Sequence, residues 1–156
     1  MRPAKKITLN LTPQTPIRSN RGDSIFFRIP RDQLRPDGLR RLLRLERYNN
    51  YKVELLAEAK RKGFTLPASG LHITFYMPMP KTWSKKKKKL HHGLLMQSRP
   101  DIDNLIKGFF DSLVSEDKFV ASISACKRWV DFPLGWMELS VTDEPMQVLV
   151  SPPAKG

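Results

Sequence analysis

The sequence is poor in cysteine, in long apolar runs and in acidic residues, and each shortage excludes a class of protein. One cysteine in 156 residues, Cys126, excludes an internal disulfide framework and favours a reducing compartment. No apolar run approaches the length of a membrane span, and the first residues contain no apolar signal region. We therefore expect a cytoplasmic protein with no membrane partner.

The shortage of acidic residues makes the chain strongly basic. Lysine and arginine number 28 against 15 aspartate and glutamate, which gives a net charge of +13. This excess is far larger than solubility requires and indicates a polyanionic partner, with nucleic acid first among the candidates. Apolar residues make up 40% of the chain, enough for one core in a domain of this length.

The charge is distributed unevenly along the sequence. Residues 1–62 and 81–92 are rich in lysine and arginine, whereas residues 99–117 hold five acidic and two basic side chains. A surface that binds phosphates has no electrostatic reason to gather carboxylates unless a cation lies between them. The reversal therefore indicates a divalent metal ion.

Hydrophobic periodicity predicts alternating strands and helices. Strands are expected at 5–12, 24–29 and 71–77, with a strand pair within 119–130 and 135–141; helices are expected at 36–62, as one helix or two, and at 99–114. The order β-β-α-β-α-β-β predicts an α+β fold, a single small domain with a mixed or antiparallel sheet packed by helices. We place this domain at residues 1–142, with a flexible lysine-rich loop at 80–100 and a disordered tail at 143–156.

The predicted helix near residue 100 combines an apolar stripe with a polar face. Its apolar residues recur at spacings of three and four, so one side should pack on the sheet. Asp103, Lys107 and Asp111 recur every four residues on the opposite side, with Asn104 beside them. If Asp101 lies in the extended segment before the first turn, its carboxylate can turn towards that of Asp103.

Two interpretations of these acidic residues remain open. In the first, the aspartates near the helix start cap free backbone N–H groups, and Asp103, Lys107 and Asp111 form ordinary surface ion pairs. In the second, Asp101 and Asp103 bind a metal ion, with Glu116 or Asp117 folding back as a further ligand. Mg²⁺ suits such a set of oxygen ligands.

The string Arg-Pro-Asp101-Ile-Asp103-Asn104-Leu-Ile-Lys107, followed by Asp111 and the pair Glu116-Asp117, resembles the RusA family of Holliday-junction resolvases. That family carries Asp-x-Asp-Asn-Leu-x-Lys, a helical run and an acidic pair. The likeness covers most of residues 6–141 and includes a loop with Asn20-Arg21-Gly22. The connection from the helix to the acidic pair is shorter here, which leaves Glu116 as an alternative to Asp117.

The resemblance implies a function and a set of site residues. It implies an endodeoxyribonuclease that acts as a homodimer and cuts two symmetric strands of a four-way DNA junction with Mg²⁺, for which Mn²⁺ can substitute. It implies Asp101, Asp103 and Asp117 as metal-binding catalytic carboxylates and Lys107 as the essential lysine. Asn104, Glu116 and Asp111 are possible additional site residues. It also implies an origin in a bacterium, a phage or a prophage.

The predicted DNA contacts are basic residues of the N-terminal loop, of the lysine-rich segment and of the start of the motif. They are Arg18, Arg21, Lys85, Lys86, Lys87, Lys88, Lys89 and Arg99. Two rival functions compete with the resolvase. One is a less specific nuclease of the PD-(D/E)xK type, whose first aspartate opens a strand instead of a helix. The other is a non-catalytic DNA- or RNA-binding module, which explains the charge but not the acidic cluster.

Overall fold

The computed structural model describes residues 5–17, 21–113 and 119–154, except for the side chain of Arg21. Within these residues the chain forms four strands, three α-helices and two 3₁₀ segments. The strands are β1 (Lys5–Leu9), β2 (Leu71–Pro78), β3 (Ile123–Val130) and β4 (Trp136–Val141). The helices are α1 (Pro36–Arg61), α2 (Lys85–His91) and α3 (Ile102–Leu113), and the 3₁₀ segments are Arg21–Phe27 and Arg31–Gln33.

The four strands form one mixed sheet in the order β1-β4-β2-β3. β4 is antiparallel to both of its neighbours, and β2 runs parallel to β3. In the register of the sheet, Thr74 of β2 lies between Glu138 of β4 and Cys126 of β3. The predicted α+β class with a mixed sheet is confirmed.

One face of the sheet packs on the helices because the apolar residues of β2 alternate. Leu71, Ile73 and Phe75 are at most 1% exposed and share one core with the buried residues of α1 and α3. Burial of this many large side chains supplies the main stabilising term of the fold. The other face carries half-buried side chains, among which Tyr76 and Trp136 stack with ring centroids 4.8 Å apart.

The helix expected at 36–62 is a single helix. Tyr48 and Tyr51 flank the Asn-Asn pair that weakens its helical propensity, and both tyrosines are buried in the core. Tertiary packing at these two side chains therefore outweighs the poor propensity of the asparagines between them.

The prediction of a strand at 24–29 was wrong, because residues 21–27 form a 3₁₀ segment. Its Asp23 is buried and binds the Arg41 guanidinium through both carboxylate oxygens, at 3.1 and 2.9 Å. This ion pair fixes the segment to α1, away from the sheet. The apolar residues 25–27 are consecutive and do not alternate, so the sequence offered no period of two for a half-exposed strand.

The prediction that the strands within 119–130 and 135–141 pair with each other was also wrong. Both strands exist, but β2 lies between β3 and β4 in the sheet. The chain after β3 therefore passes over β2 before it pairs again. β1 is also shorter than expected and ends at Leu9.

Residues 80–100 contain a helix where a loop was expected. Ser84 caps α2 by accepting a hydrogen bond from the Lys87 amide at 3.2 Å. Trp83 packs on Trp129 of β3, with ring centroids 5.0 Å apart. Lysine has a good helix propensity, so a cap and an aromatic anchor suffice for two turns. Residues 143–154 form no helix or strand, and their disorder stays a prediction.

None of the described helices is long and apolar enough to cross a membrane.

All three tyrosines of the chain should titrate above the usual range. Burial raises the pKa of Tyr51 to about 12. Burial and the hydrogen bond to Asp111 raise the pKa of Tyr48, and burial and the Glu138 carboxylate raise that of Tyr76. Each raised pKa adds to the free energy of unfolding. This contribution is complete below pH ~10, the pKa of tyrosine in the unfolded chain, and is lost as the pH rises through the pKa values of the folded protein.

We expect the native protein to show clearly less tyrosinate absorbance at pH ~10 than the urea-unfolded chain, in which the tyrosines are about half ionised. The free energy of unfolding should fall as the pH rises above this value. A native tyrosine that titrates near pH ~10 would contradict the packing described for α1 and the sheet.

Candidate active site

α3 buries one side firmly and presents the other to solvent. Leu105 and Phe109 are fully buried in the core, and Gly108 and Ser112 are buried beside them. The polar residues of the predicted site lie on the exposed side: Asp103, Asn104, Lys107 and Asp111. The amphipathic helix is therefore confirmed, and its apolar side fixes where the polar side chains stand.

Asp101 lies directly before the first turn, as the sequence suggested. The helix begins at Ile102, and the Asp101 carbonyl accepts a hydrogen bond from the Leu105 amide at 3.2 Å. Among the described residues, the exposed Asp101 carboxylate has no hydrogen-bond or ion-pair partner. It therefore does not act as a side-chain cap for any described backbone N–H group.

The Asp103 carboxylate is exposed as well. Its Oδ1 accepts a hydrogen bond from the Asn104 amide at 2.9 Å, and it forms no ion pair with a described residue. The start of α3 thus holds two exposed carboxylates, two residues apart, without a compensating cation from the described parts of the chain. The Asp103 hydrogen bond to a first-turn amide agrees with the capping interpretation, and the absence of a described cationic partner for either carboxylate leaves room for a metal ion.

Lys107 and Asp111 do not form the expected surface ion pairs. Within the described residues, Lys107 lies more than 4 Å from every carboxylate, although Asp103 and Asp111 are each one turn away. Asp111 instead accepts a hydrogen bond from the Tyr48 hydroxyl at 2.9 Å, which ties α3 to α1. Eight residues of helix place Asp111 about 12 Å along the axis from Asp103.

The segment before α3 is held by a lysine that the sequence did not single out. The Lys127 ammonium group donates to the carbonyl of Pro100 at 2.6 Å and to that of Ser98. Lys127 lies on the same core-facing side of β3 as Ala125 and Trp129. An apolar residue at this position would continue the alternation of core-facing apolar side chains along the strand. That break in the alternation is the signal that could have revealed it.

The N-terminal segment lies across the middle of α3 at Gly108. A β-carbon added at Gly108 would stand 2.6 Å from the backbone oxygen of Gln14, so a larger residue would displace this segment. The backbone of Gln14 also lies near the Tyr51 hydroxyl. Residues 13–17 therefore form a fixed wall beside the start of α3.

The donor chemistry of this site fits a hard divalent cation. Carboxylate oxygens are the ligands that Mg²⁺ and Mn²⁺ prefer, and Asp101 and Asp103 offer them without a competing cation among the described residues. Within the described residues, no group of three or more histidine, cysteine or acidic side chains converges, at the start of α3 or elsewhere, so these residues alone supply two of the proposed ligands. Asp117 and its alternative Glu116 lie in residues 114–118, outside the described residues.

The predicted DNA contacts fall into two groups. Arg18 and the side chain of Arg21 lie outside the described residues, whereas Arg99 is exposed immediately before Pro100. The five lysines at 85–89 all lie on α2. Among them, Lys87 stands 4.1 Å from the centre of the Trp83 ring, so it faces the protein as well as solvent.

α2 and the site are joined through the edge of β3. The segment between them pairs with β3: the Gly93 amide donates to the Trp129 carbonyl at 2.8 Å, and the Met96 amide donates to the Lys127 carbonyl at 2.9 Å. The chain then reaches Pro100, which Lys127 also holds. One strand edge therefore supports both the lysine helix and the carboxylates.

Comparison with known proteins identifies the family. Residues 30–134 match the family model described as "Endodeoxyribonuclease RusA", a range that includes α1, β2, α2, α3 and β3. The chain therefore belongs to the RusA family of Holliday-junction endodeoxyribonucleases. The resemblance drawn from the sequence is confirmed, and with it the class of enzyme: a hydrolase that acts on DNA.

A similar curated protein is the "Uncharacterized protein YqaN" of Bacillus subtilis (strain 168). It is 34% identical over 97 residues, which cover 56% of this chain and 68% of that protein. Membership in an enzyme family argues against a non-catalytic binding module. The placement of Asp101 at a helix start also argues against the PD-(D/E)xK alternative.

Replacing Lys127 with methionine should loosen the start of α3. The loss of two hydrogen bonds from a charged group frees the Ser98 and Pro100 carbonyls and weakens the first bond of the helix. We expect amide hydrogen exchange at Leu105 to accelerate by about tenfold or more, while Phe109 keeps its protection. Unchanged exchange at Leu105 would contradict this role, and Lys60→Met, at an exposed position of α1, is the control.

Proposed function

We propose that this RusA-family endodeoxyribonuclease is a Mg²⁺-dependent resolvase that cuts four-way DNA junctions in two symmetric strands. The observation that supports it most strongly is the pair of exposed carboxylates at Asp101 and Asp103. They stand without described cationic partners in a protein whose net charge is +13. Two exposed carboxylates this close together in a basic protein that acts on a polyanion suit a bound divalent cation.

Asp101, Asp103 and Asp117 would hold the metal ion in this proposal, with Glu116 as the alternative to Asp117. Mg²⁺ is the expected ion and Mn²⁺ its substitute. When bound, the ion polarises the scissile phosphate and lowers the pKa of the attacking water.

The chain's own residues position the substrate and the carboxylates. Lys107 is exposed one turn after Asp103, so its ammonium group is available to neutralise charge that develops on the phosphate. Asn104 is exposed beside Asp103 and can donate to a phosphate oxygen. Lys127 acts indirectly, because its hydrogen bonds hold the segment that carries Asp101.

A homodimer follows from the symmetry of the proposed reaction. Two matched cuts in a two-fold substrate require two active sites, and a dimer with a two-fold axis provides them. We further propose that the enzyme works in the cytoplasm of a bacterium or on the DNA of a phage or prophage. The similarity to a protein of Bacillus subtilis supports a bacterial setting.

Substituting either carboxylate should abolish cutting and spare binding. We expect Asp101→Asn and Asp103→Asn each to lower the rate of junction cleavage in Mg²⁺ by about a thousandfold, since removal of a ligand forfeits several kcal/mol of charge stabilisation. Junction affinity, measured by gel shift in Ca²⁺, should stay the same or increase because a negative charge is removed from a cationic surface.

Asp32→Asn is the matched control. Asp32 is also exposed and has no described ion-pair partner, and its substitution removes the same charge. It should cut at the wild-type rate. Cleavage retained by Asp103→Asn in Mg²⁺, or equal loss of cleavage in Asp32→Asn, would contradict the assignment. Cutting of linear duplex as fast as the junction would contradict the proposed substrate.

The lysines of α2 should contribute to DNA affinity through charge. A helix turns by about 100° per residue, so five consecutive lysines cannot all reach one strand. We expect the triple variant Lys85→Gln, Lys86→Gln and Lys89→Gln to flatten the plot of log affinity against log salt by about 1 to 3, because each phosphate contact contributes about 0.9 to the slope. Three adjacent basic residues at the end of α1 give the control: Lys60→Gln, Arg61→Gln and Lys62→Gln. Equal slopes in the two triple variants would contradict a role specific to α2.

A further inference from the structure

A cleft of about 590 Å³ opens directly beside the proposed active site. Residues 13–17 form one wall, α1 contributes Arg44 and Arg47, and Pro100 closes the end next to Asp101. The wall at residues 13–17 lies directly against α3, because the Gln14 carbonyl packs on Gly108 and leaves no room for a β-carbon there. The cleft is therefore a built feature of the fold.

The two arginines of the cleft differ from others on the same helix. Arg40, Arg41 and Arg61 each bind a carboxylate, on Asp37, Asp23 and Glu58 respectively. Arg44 and Arg47 form no ion pair with a described residue. They lie three residues apart, so both guanidinium groups project from one side of α1.

The walls of the cleft suit an anion. Its described lining contains no carboxylate, and its other residues are proline, glutamine, threonine and isoleucine. Two like charges side by side repel each other unless an anion lies between them, and a guanidinium group matches the oxygens of a phosphate in a bidentate manner. Arg47 also borders a neighbouring cavity that Glu46 and Glu54 line, so we expect Arg44 to contribute more.

We propose that Arg44 and Arg47 bind a backbone phosphate of the cleaved DNA strand, next to the phosphate that is cut. This inference rests on the proposed function, since the position of the scissile phosphate is that of Asp101 and Asp103. A strand that crosses these carboxylates meets the cleft at Pro100, the residue before Asp101. The two arginines then set the register of the strand and act as positioning residues.

The test compares two pairs of substitutions in the full chain. Arg44→Gln with Arg47→Gln removes the proposed phosphate contacts. Lys60→Gln with Lys62→Gln removes two charges from exposed positions at the other end of the same helix. We expect the arginine pair alone to lower junction affinity in Ca²⁺ at least tenfold and to reduce the salt slope by about 1, the value for one phosphate contact. Both proteins should melt at the wild-type temperature.

A methylphosphonate scan locates the contact. In each junction one phosphate near the cut site is replaced by an uncharged methylphosphonate, and binding is measured for each protein. We expect the wild type and the lysine pair to lose affinity at a phosphate adjacent to the cut site. The arginine pair should be insensitive at that phosphate and sensitive at the others.

The outcomes separate this inference from the function on which it rests. Suppose that the wild type binds and cuts the junction, and that the double arginine variant shows the same methylphosphonate sensitivities and the same salt dependence of affinity as the wild type. The cleft proposal is then wrong and the resolvase proposal stands. If the lysine pair matches the arginine pair in slope and scan, general charge explains the effect and the cleft proposal is again wrong. If the wild type neither binds nor cuts branched DNA, both proposals fail.

Discussion

The burial of one side of α3 is the constraint on which the proposed site depends. Leu105 and Phe109 are fully buried, and Gly108 lets the N-terminal segment lie directly against the helix. With its apolar side held from two directions, the helix cannot rotate about its axis without exposing that side to water. The exposed carboxylates at its start are therefore positioned by residues that never touch a substrate. Lys127 completes this support from β3 by holding the segment that leads to Asp101.

The charges around the start of α3 indicate what this position binds. Most of the surface charge is positive and suits a polyanion, but Asp101 and Asp103 have no described cation to offset them. Some acidic residues of the scaffold are paired, Asp23 with Arg41 and Glu46 with Arg31, whereas Asp32 is exposed without a described ion-pair partner. Position therefore distinguishes Asp101 and Asp103: they are two exposed carboxylates two residues apart, at a helix start that the core and Lys127 hold in place. Among the arginines of α1, Arg44 and Arg47 are the two without a described ion-pair partner.

Local patterns predicted the elements better than their arrangement. The alternation at 71–77 and the apolar stripe at 102–113 found β2 and α3 because each pattern reports burial of one face of one element. The segment at 24–29 was misassigned because its conformation depends on Arg41, which is distant in sequence. The order of β3 and β4 depends on where β2 lies, and no short pattern encodes that. Asp101 was placed correctly at the helix start, whereas Lys127, Arg44 and Arg47 gain their roles only from neighbours that the fold brings to them.

The central claim is that the start of α3 binds a divalent cation. Titrating the metal-free protein with Mn²⁺ and following amide resonances by NMR tests it directly, because paramagnetic broadening falls off steeply with distance from the ion. The account predicts that the amides of Asp101 to Asn104 broaden first, at substoichiometric Mn²⁺, and that excess Mg²⁺ reverses the effect. Broadening that begins elsewhere in the chain, or none near Asp103 at stoichiometric Mn²⁺, would contradict it.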